Sequence, residues 1–190
     1  MSHSPGAPTR LLVAVAHPDD ETFGCGGLLL HAAAAGTDTY VVCATRGEAG
    51  EGGTGDEPLG VVRERELHRA AAVLGVREVT LLAHRDSGMS GEPEPGTLAA
   101  LDPDALAAEL EAHAARVRPE VVVTLDASDG HRDHEVMRDA AVAAATAAGV
   151  PRVHLVCLAR SSMVRWVEHQ RAEHPDREHL SVEDVELGTP

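Results

Sequence analysis

Leu11-Leu12-Val13-Ala14-Val15-Ala16-His17-Pro18-Asp19-Asp20-Glu21 is the stretch on which the reading turns. Leu11 to Ala16 is a short, uninterrupted apolar run of the kind a parallel sheet buries on both faces. Immediately behind it come one imidazole and three carboxylates within five residues, a group that packing does not explain. Open α/β folds keep their sites outside the carboxyl ends of strands, and histidine with carboxylate is a donor set for a divalent metal.

Working outward, Met1 to Arg10 lacks periodicity and reads as a flexible N-terminal arm, with residues 11–190 as a single domain. After the acidic cluster the pattern turns helical from Gly26 to Ala35, with Gly36 as the expected C-cap. Thr39 to Thr45 reads as a second strand. A glycine-rich loop, Arg46 to Gly60, follows; without a P-loop lysine, and with several carboxylates, it suits a lid or substrate loop better than a phosphate cradle. Val61 to Leu74 is an amphipathic helix closed by Gly75, and Val79 to Ala83 a third strand. His84 to Leu101 is irregular. Pro103 to Val117 is a helix capped by Asp102, Val121 to Leu125 a strand, Val136 to Ala148 a helix and Val153 to Leu158 a fifth strand. Residues 159–190 are charged and weakly patterned. Strands alternating with helices predict an α/β fold, Rossmann-like, with a mostly parallel sheet and helices on both faces.

The chain has 190 residues and a formal charge of −15, so its surface repels nucleic-acid phosphate and anionic lipid, and no nucleic-acid partner is expected. No apolar run approaches the roughly 18 residues of a membrane span, and Met1 to Arg10 has no signal-peptide core; a soluble, cytoplasmic protein is the expectation. Cys25, Cys43 and Cys157 are widely spaced and read as small buried hydrophobes rather than as a disulfide framework or zinc ligands. With one Trp, one Tyr and one Phe, the core must be built from Val, Leu and Ala.

A second chemical cluster, Asp129-Gly130-His131-Arg132-Asp133-His134-Glu135, follows the fourth predicted strand. His17 and Asp20 are three apart, as are His131 and His134, a spacing that puts both members of each pair on one side of a first helical turn. The sheet can bring the two clusters to one edge. Two histidines and a carboxylate with an open position form a hydrolytic metal site, and leftover carboxylates serve as base and support.

Ala16-His17-Pro18-Asp19-Asp20-Glu21, continuing Thr22-Phe23-Gly24-Cys25-Gly26-Gly27, with His131-Arg132-Asp133-His134 downstream, resembles the LmbE-like or PIG-L deacetylase family. Thr45 to Gly50, Arg63 to Glu66 and Arg85 to Met89 resemble further family blocks in the same order, and the likeness runs over about residues 11 to 158. The resemblance implies a zinc-dependent N-deacetylase of N-acetylglucosamine-type small molecules. It makes His17, Asp20 and His134 the metal ligands and Asp19 the general base. His131 becomes the oxyanion partner or acid, kept cationic by Asp133. Glu48, Arg63 and Asp86 fall where relatives contact the sugar. Zinc is the implied cofactor, although a His, Asp, His set also suits iron(II); homo-oligomers are common in the family.

Two departures stand out. Asp129 and Arg132 occupy places where some members carry tyrosine and proline. Leu187 to Pro190 resembles the point at which many members continue into a further strand and a last helix, which this chain is expected to lack. An amidase acting on a larger thiol-sugar conjugate, and a weakly catalytic metabolite-binding module, are the rival readings of the same residues.

Overall fold

The computed structural model describes residues 8–50, 56–89, 91–157 and 160–173. Five strands, Arg10–Val15 (β1), Asp38–Cys43 (β2), Glu78–Leu81 (β3), Val121–Leu125 (β4) and Arg152–Val156 (β5), form one sheet in the order β3-β2-β1-β4-β5. Every pairing is parallel, with Leu12 opposite Tyr40 on one side and Val122 on the other. The helices are Asp20–Phe23 (α1), Gly26–Ala34 (α2), Leu59–Leu74 (α3), Pro103–Val117 (α4), Arg132–Ala147 (α5) and Arg160–Glu173 (α6). The Rossmann-like fold expected from the alternation of strands and helices is the observed one.

Strand β1 explains the two-sided core. Its successive side chains point to opposite faces, so Leu12, Ala14 and Ala16 pack with Leu106, Leu110 and Met137 of α4 and α5, while Leu11, Val13 and Val15 pack with Leu29 and Leu67 of α2 and α3. Burying each such Leu or Val is worth roughly 1.5–3 kcal/mol. Aromatics are scarce, and α5 instead offers Ala140, Ala141, Ala144 and Ala145, all buried, as a smooth face against the sheet and α4.

The element bounds differ from expectation at several points. Helix α5 begins at Arg132 rather than at Val136, because His131 occupies the N-cap and its ring accepts from the Asp133 N–H. The acidic residues behind β1 form their own one-turn helix, α1, instead of starting α2. Arg10 belongs to β1, and Thr9 is tied to Glu120 through its backbone N–H at 3.0 Å; residues 1–7 of the expected arm lie outside the described residues. Helix α6 stands where the sequence is weakly patterned, with Val167 buried. Residues 174–190 lie outside the described residues, as does the expected C-terminal departure.

In this strand order the chain reverses direction of winding between β1 and β4, and open sheets leave a crevice at such a switch point. The β1 end leads into His17 to Asp20; the β4 end leads, through Asp126 to Gly130, into His131 to His134.

Candidate metal centre

The two motifs meet at the switch point. His17 Nδ1 lies 3.2 Å from His134 Nε2, Asp20 Oδ2 lies 3.4 Å from His134 Nε2, and His17 Nδ1 lies 3.7 Å from Asp20 Oδ2. Donor atoms around a tetrahedral zinc with bonds of 2.0–2.2 Å are separated by about 3.4 Å, so this triangle has the dimensions of one face of such a site. Its chemistry asks for a cation as well. The opposite nitrogen of each ring is turned to a carboxylate: His17 Nε2 to Asp133 Oδ2 at 3.1 Å, and His134 Nδ1 to Asp129 Oδ2 at 2.6 Å. With one proton of each ring committed to its carboxylate, release of the other leaves three lone pairs converging on one point. Carboxylates behind ligating histidines fix tautomer and ring orientation in metal sites generally.

Other donors surround the triangle. His131 offers a ring nitrogen within 4.8 Å of His17 and His134, and Asp86 and Asp133 group in the same way behind His17. The second group serves as support, because Asp86 Oδ1 accepts from Gly88 N–H at 2.8 Å and Asp133 Oδ2 accepts from Ser87 N–H at 2.9 Å. Asp133 Oδ1 is buried without a hydrogen-bond partner.

The electrostatics follow from this density of carboxylates. Burial opposes charging of His17, yet Asp133, Asp20 and Asp86 outweigh it and hold its pKa up at about 11. His134, similarly opposed by burial, is raised to about 9 by Asp129 and Asp20. Against the effect of burial, Asp20 is driven well below the usual carboxylate range by His134 and His17, and Asp86 by His17 and the backbone N–H groups of Gly88 and Ala49. Without a metal, protons occupy the place of a cation.

His131 behaves differently from expectation. Burial first, then the neighbouring His17 and His134, push its pKa down. The Asp133 carboxylate, expected to keep this ring cationic, instead accepts from Ser87 N–H and faces His17 Nε2; what His131 receives is the Asp133 backbone N–H, at 3.2 Å on Nδ1. A ring nitrogen that accepts cannot carry a proton, so His131 is neutral with its proton on Nε2.

Asp19 sits at φ 109°, ψ −29°, a strained left-handed conformation for a non-glycine residue. Three contacts hold it there. Its N–H donates to Glu21 Oε2 at 2.9 Å, its Oδ2 accepts from Arg63 Nη2 at 2.8 Å, and the same guanidinium donates to Pro18 O at 2.6 Å. Burial pushes its carboxyl pKa upward, partly countered by Arg63.

A cleft of about 220 Å³ opens over these groups, lined by His17, Asp19, Asp20, Arg63, Asp86 and His131 among others. The three residues expected to meet the sugar are already engaged. Arg63 bridges the Asp19 turn to Gly47 O at 2.7 Å; Asp86 accepts from the N–H of Ala49 and of Gly88; Glu48 Oε1 accepts from Asp86 N–H at 3.1 Å. Glu48 is thus a support of Asp86. Two members of this network, Glu21 and Asp129, are not among the residues to which the sequence pattern assigns a catalytic, metal-binding or sugar-binding role. Residue type alone carries no signal of the atoms they hold.

A Rossmann-like sheet with a cluster of histidines and carboxylates at the strand ends, spaced so that it could hold a metal ion, defines the class of α/β protein to which this chain belongs. The chain belongs to the PIG-L family, described as GlcNAc-PI de-N-acetylase, which its residues 12–145 match. It is 39% identical over 180 residues to the 1D-myo-inositol 2-acetamido-2-deoxy-alpha-D-glucopyranoside deacetylase of Nakamurella multipartita, covering 81% of this chain and 61% of that one. The chain therefore spans about three fifths of that relative's length. Among solved structures it resembles the conserved protein TT1542 from Thermus thermophilus, with a TM-score of 0.58 and 33% identity over 77% of this chain and 64% of that one. It also resembles the zinc inhibited form of teicoplanin deacetylase Orf2, with a TM-score of 0.59 and 25% identity over 76% and 66% of the two chains. Among the described residues, no helix is long and apolar enough to cross a membrane.

Proposed function

We propose that this protein is a zinc-dependent hydrolase that removes the acetyl group from the amide of an N-acetylglucosamine-type small molecule. The observation that carries the reading is the convergence of His17, Asp20 and His134 on one point, with Asp19 and His131 facing the same cleft. His17, Asp20 and His134 would hold the metal. Zinc bound there supplies a Lewis acid for the acetyl carbonyl and lowers the pKa of water toward ~7.

The chain's own groups account for the proton movements. Arg63 fixes Asp19 Oδ2, leaving Oδ1 to take the proton of the attacking water. As the carbonyl carbon becomes tetrahedral, the Nε2–H of His131 donates to its oxygen, the role that the Nδ1 contact with Asp133 N–H prepares. Collapse breaks the carbon–nitrogen bond and the amine takes the proton from Asp19. A neutral His131 is the poorer acid, since loss of its Nε2 proton would leave an anion. Acetate and the free amine are the products. Arg63 and Asp86 line the cleft and are proposed to meet sugar hydroxyls, with Glu48 holding Asp86 in place.

Asp19→Ala is expected to retain zinc and lose acetate release by at least about a hundredfold, measured on a panel of N-acetylglucosaminides with and without chelator. Unchanged turnover would overturn the mechanism. Reconstitution of chelated protein with zinc or iron(II) separates the two metals. Wild-type protein holding less than about half a metal per chain would favour a metabolite-binding module. The amidase reading rests on one observation: a hollow of about 130 Å³, lined by Phe23, Leu125 and Val156, shares Asp20 and Asp129 with the centre and could take an apolar extension of a larger conjugate.

A further inference from the structure

We propose that Asp129 is the positioning residue of the metal centre, one carboxylate that sets both histidines of the second motif. The inference rests on the metal reading above and extends the contact of Asp129 with His134 to a hold on both histidines.

The backbone delivers Asp129 for this purpose. Beyond β4 the chain turns sharply, with Ala127 at φ 63° and Gly130 at φ 78°, and Asp126 Oδ1 ties the turn through the N–H of Ser128. At the end of the turn the two oxygens of Asp129 divide their work. Oδ1 accepts from the His131 backbone N–H at 3.0 Å, fixing the residue that caps α5; Oδ2 faces His134 Nδ1 at 2.6 Å. An anionic oxygen at that place commits the His134 ring proton to Nδ1 and leaves Nε2 with its lone pair toward His17 and Asp20. Without it, either tautomer and either ring flip is open, and one of each pair removes the ligand atom. Asp133 does the same for His17 but is fully buried, and its loss would leave a hole in the core. Asp129, with its side chain 30% exposed, can be changed without that penalty.

The test measures metal rather than turnover. Zinc affinity of the wild type and of Asp129→Ala, Asp129→Asn and Asp129→Glu is determined by competition with a chromophoric chelator, alongside the visible spectrum of each cobalt(II) form and its circular dichroism. Outer carboxylates behind ligating histidines commonly account for about 10–100-fold in metal affinity. Asp129→Ala is therefore expected to bind zinc about 10–100-fold more weakly with an altered cobalt band, and Asp129→Glu to recover most of the loss. Asp129→Asn preserves the turn through its carbonyl but presents an N–H to His134 Nδ1, driving the ring proton to Nε2, so it too should bind at least about tenfold more weakly; it carries the test if the alanine variant does not fold. Wild-type affinity and spectrum in the folded Ala and Asn variants would overturn the inference while leaving the metal reading intact. A wild type that takes up no metal would overturn both.

Discussion

Asp19 carries its backbone where an L residue is uncomfortable, a conformation worth about 1–3 kcal/mol of strain, and does so because Glu21 and Arg63 hold it. Relief of that strain and loss of the carboxylate separate cleanly in Asp19→Gly. The variant is expected to unfold at higher denaturant, by about 1 kcal/mol, and to release no acetate; denaturant titration beside the assay checks both. Glu21 is buried and its pKa is raised by that burial, with the Thr22 and Asp19 contacts working the other way. Glu21→Gln, free to present an N–H toward Asp19 instead of an acceptor, is expected to lower kcat about tenfold while zinc affinity stays within about twofold. Equal kcat would show that Glu21 only fills space. At this scale the sequence is legible where residue type suffices: histidine and aspartate at paired spacing name themselves as donors. It is illegible where direction matters, since nothing in Asp133 or Asp129 as letters says which imidazole each carboxylate will face.

The second motif works because an element starts inside it. With His131 at the N-cap and Arg132 as the first residue of α5, Asp133 and His134 lie in the first turn, where the helix dipole also favours the carboxylate. The apolar periodicity that predicts the helix from Val136 cannot see this start, because the capping ligand is a ring nitrogen rather than a hydroxyl or carboxylate. The loop after β2 is bound to α3 in a comparable way. Gly47 has φ 62°, and a Cβ there would stand 2.1 Å from Arg63 Nη1. Gly47→Ala is expected to displace the guanidinium from Asp19 and Pro18, reducing kcat/KM about tenfold or more and stability by about 1–2 kcal/mol. Kinetics together with thermal melting test it, and a drop in Tm alone would assign Arg63 to the scaffold. Helix α6 is hard to read because polar and charged residues outnumber its apolar ones, so that burial of Val167 leaves little periodic trace.

For the whole molecule, the concentration of carboxylates makes pH a probe of the centre. His17 and His134 have folded pKa values of about 11 and about 9, above the ordinary 6.5. Their contribution to metal-free stability is complete below pH 6.5 and is lost as pH rises through about 9 and then about 11. Asp20 and Asp86 are lowered, so their contribution is present above 3.8 and lost on further acidification. Metal-free protein is accordingly expected to melt highest between about pH 4 and 6.5 as far as these groups decide, with Tm falling toward pH 10. Zinc must displace both ring protons, so its affinity should rise steeply between pH 6.5 and 9, with about two protons released per ion; calorimetry in buffers of different ionisation enthalpy counts them. A pH-independent affinity would show that the rings do not bind the ion.

The pairing of β1 with β4 places residues more than a hundred positions apart side by side, and the sheet has no shorter route to its centre. Contacts of such sequence separation form late, because loop closure must come before they reward the chain. Under the proposed function, metal capture is therefore a clock for folding. A chain emerging from the ribosome holds His17 and Asp20 early but gains His134 only after β4 and the start of α5 have appeared, so any tight zinc uptake marks the moment at which the two halves of the sheet have closed. In stopped-flow refolding, a zinc-sensitive dye should report a phase no faster than the slowest recovery of helical signal.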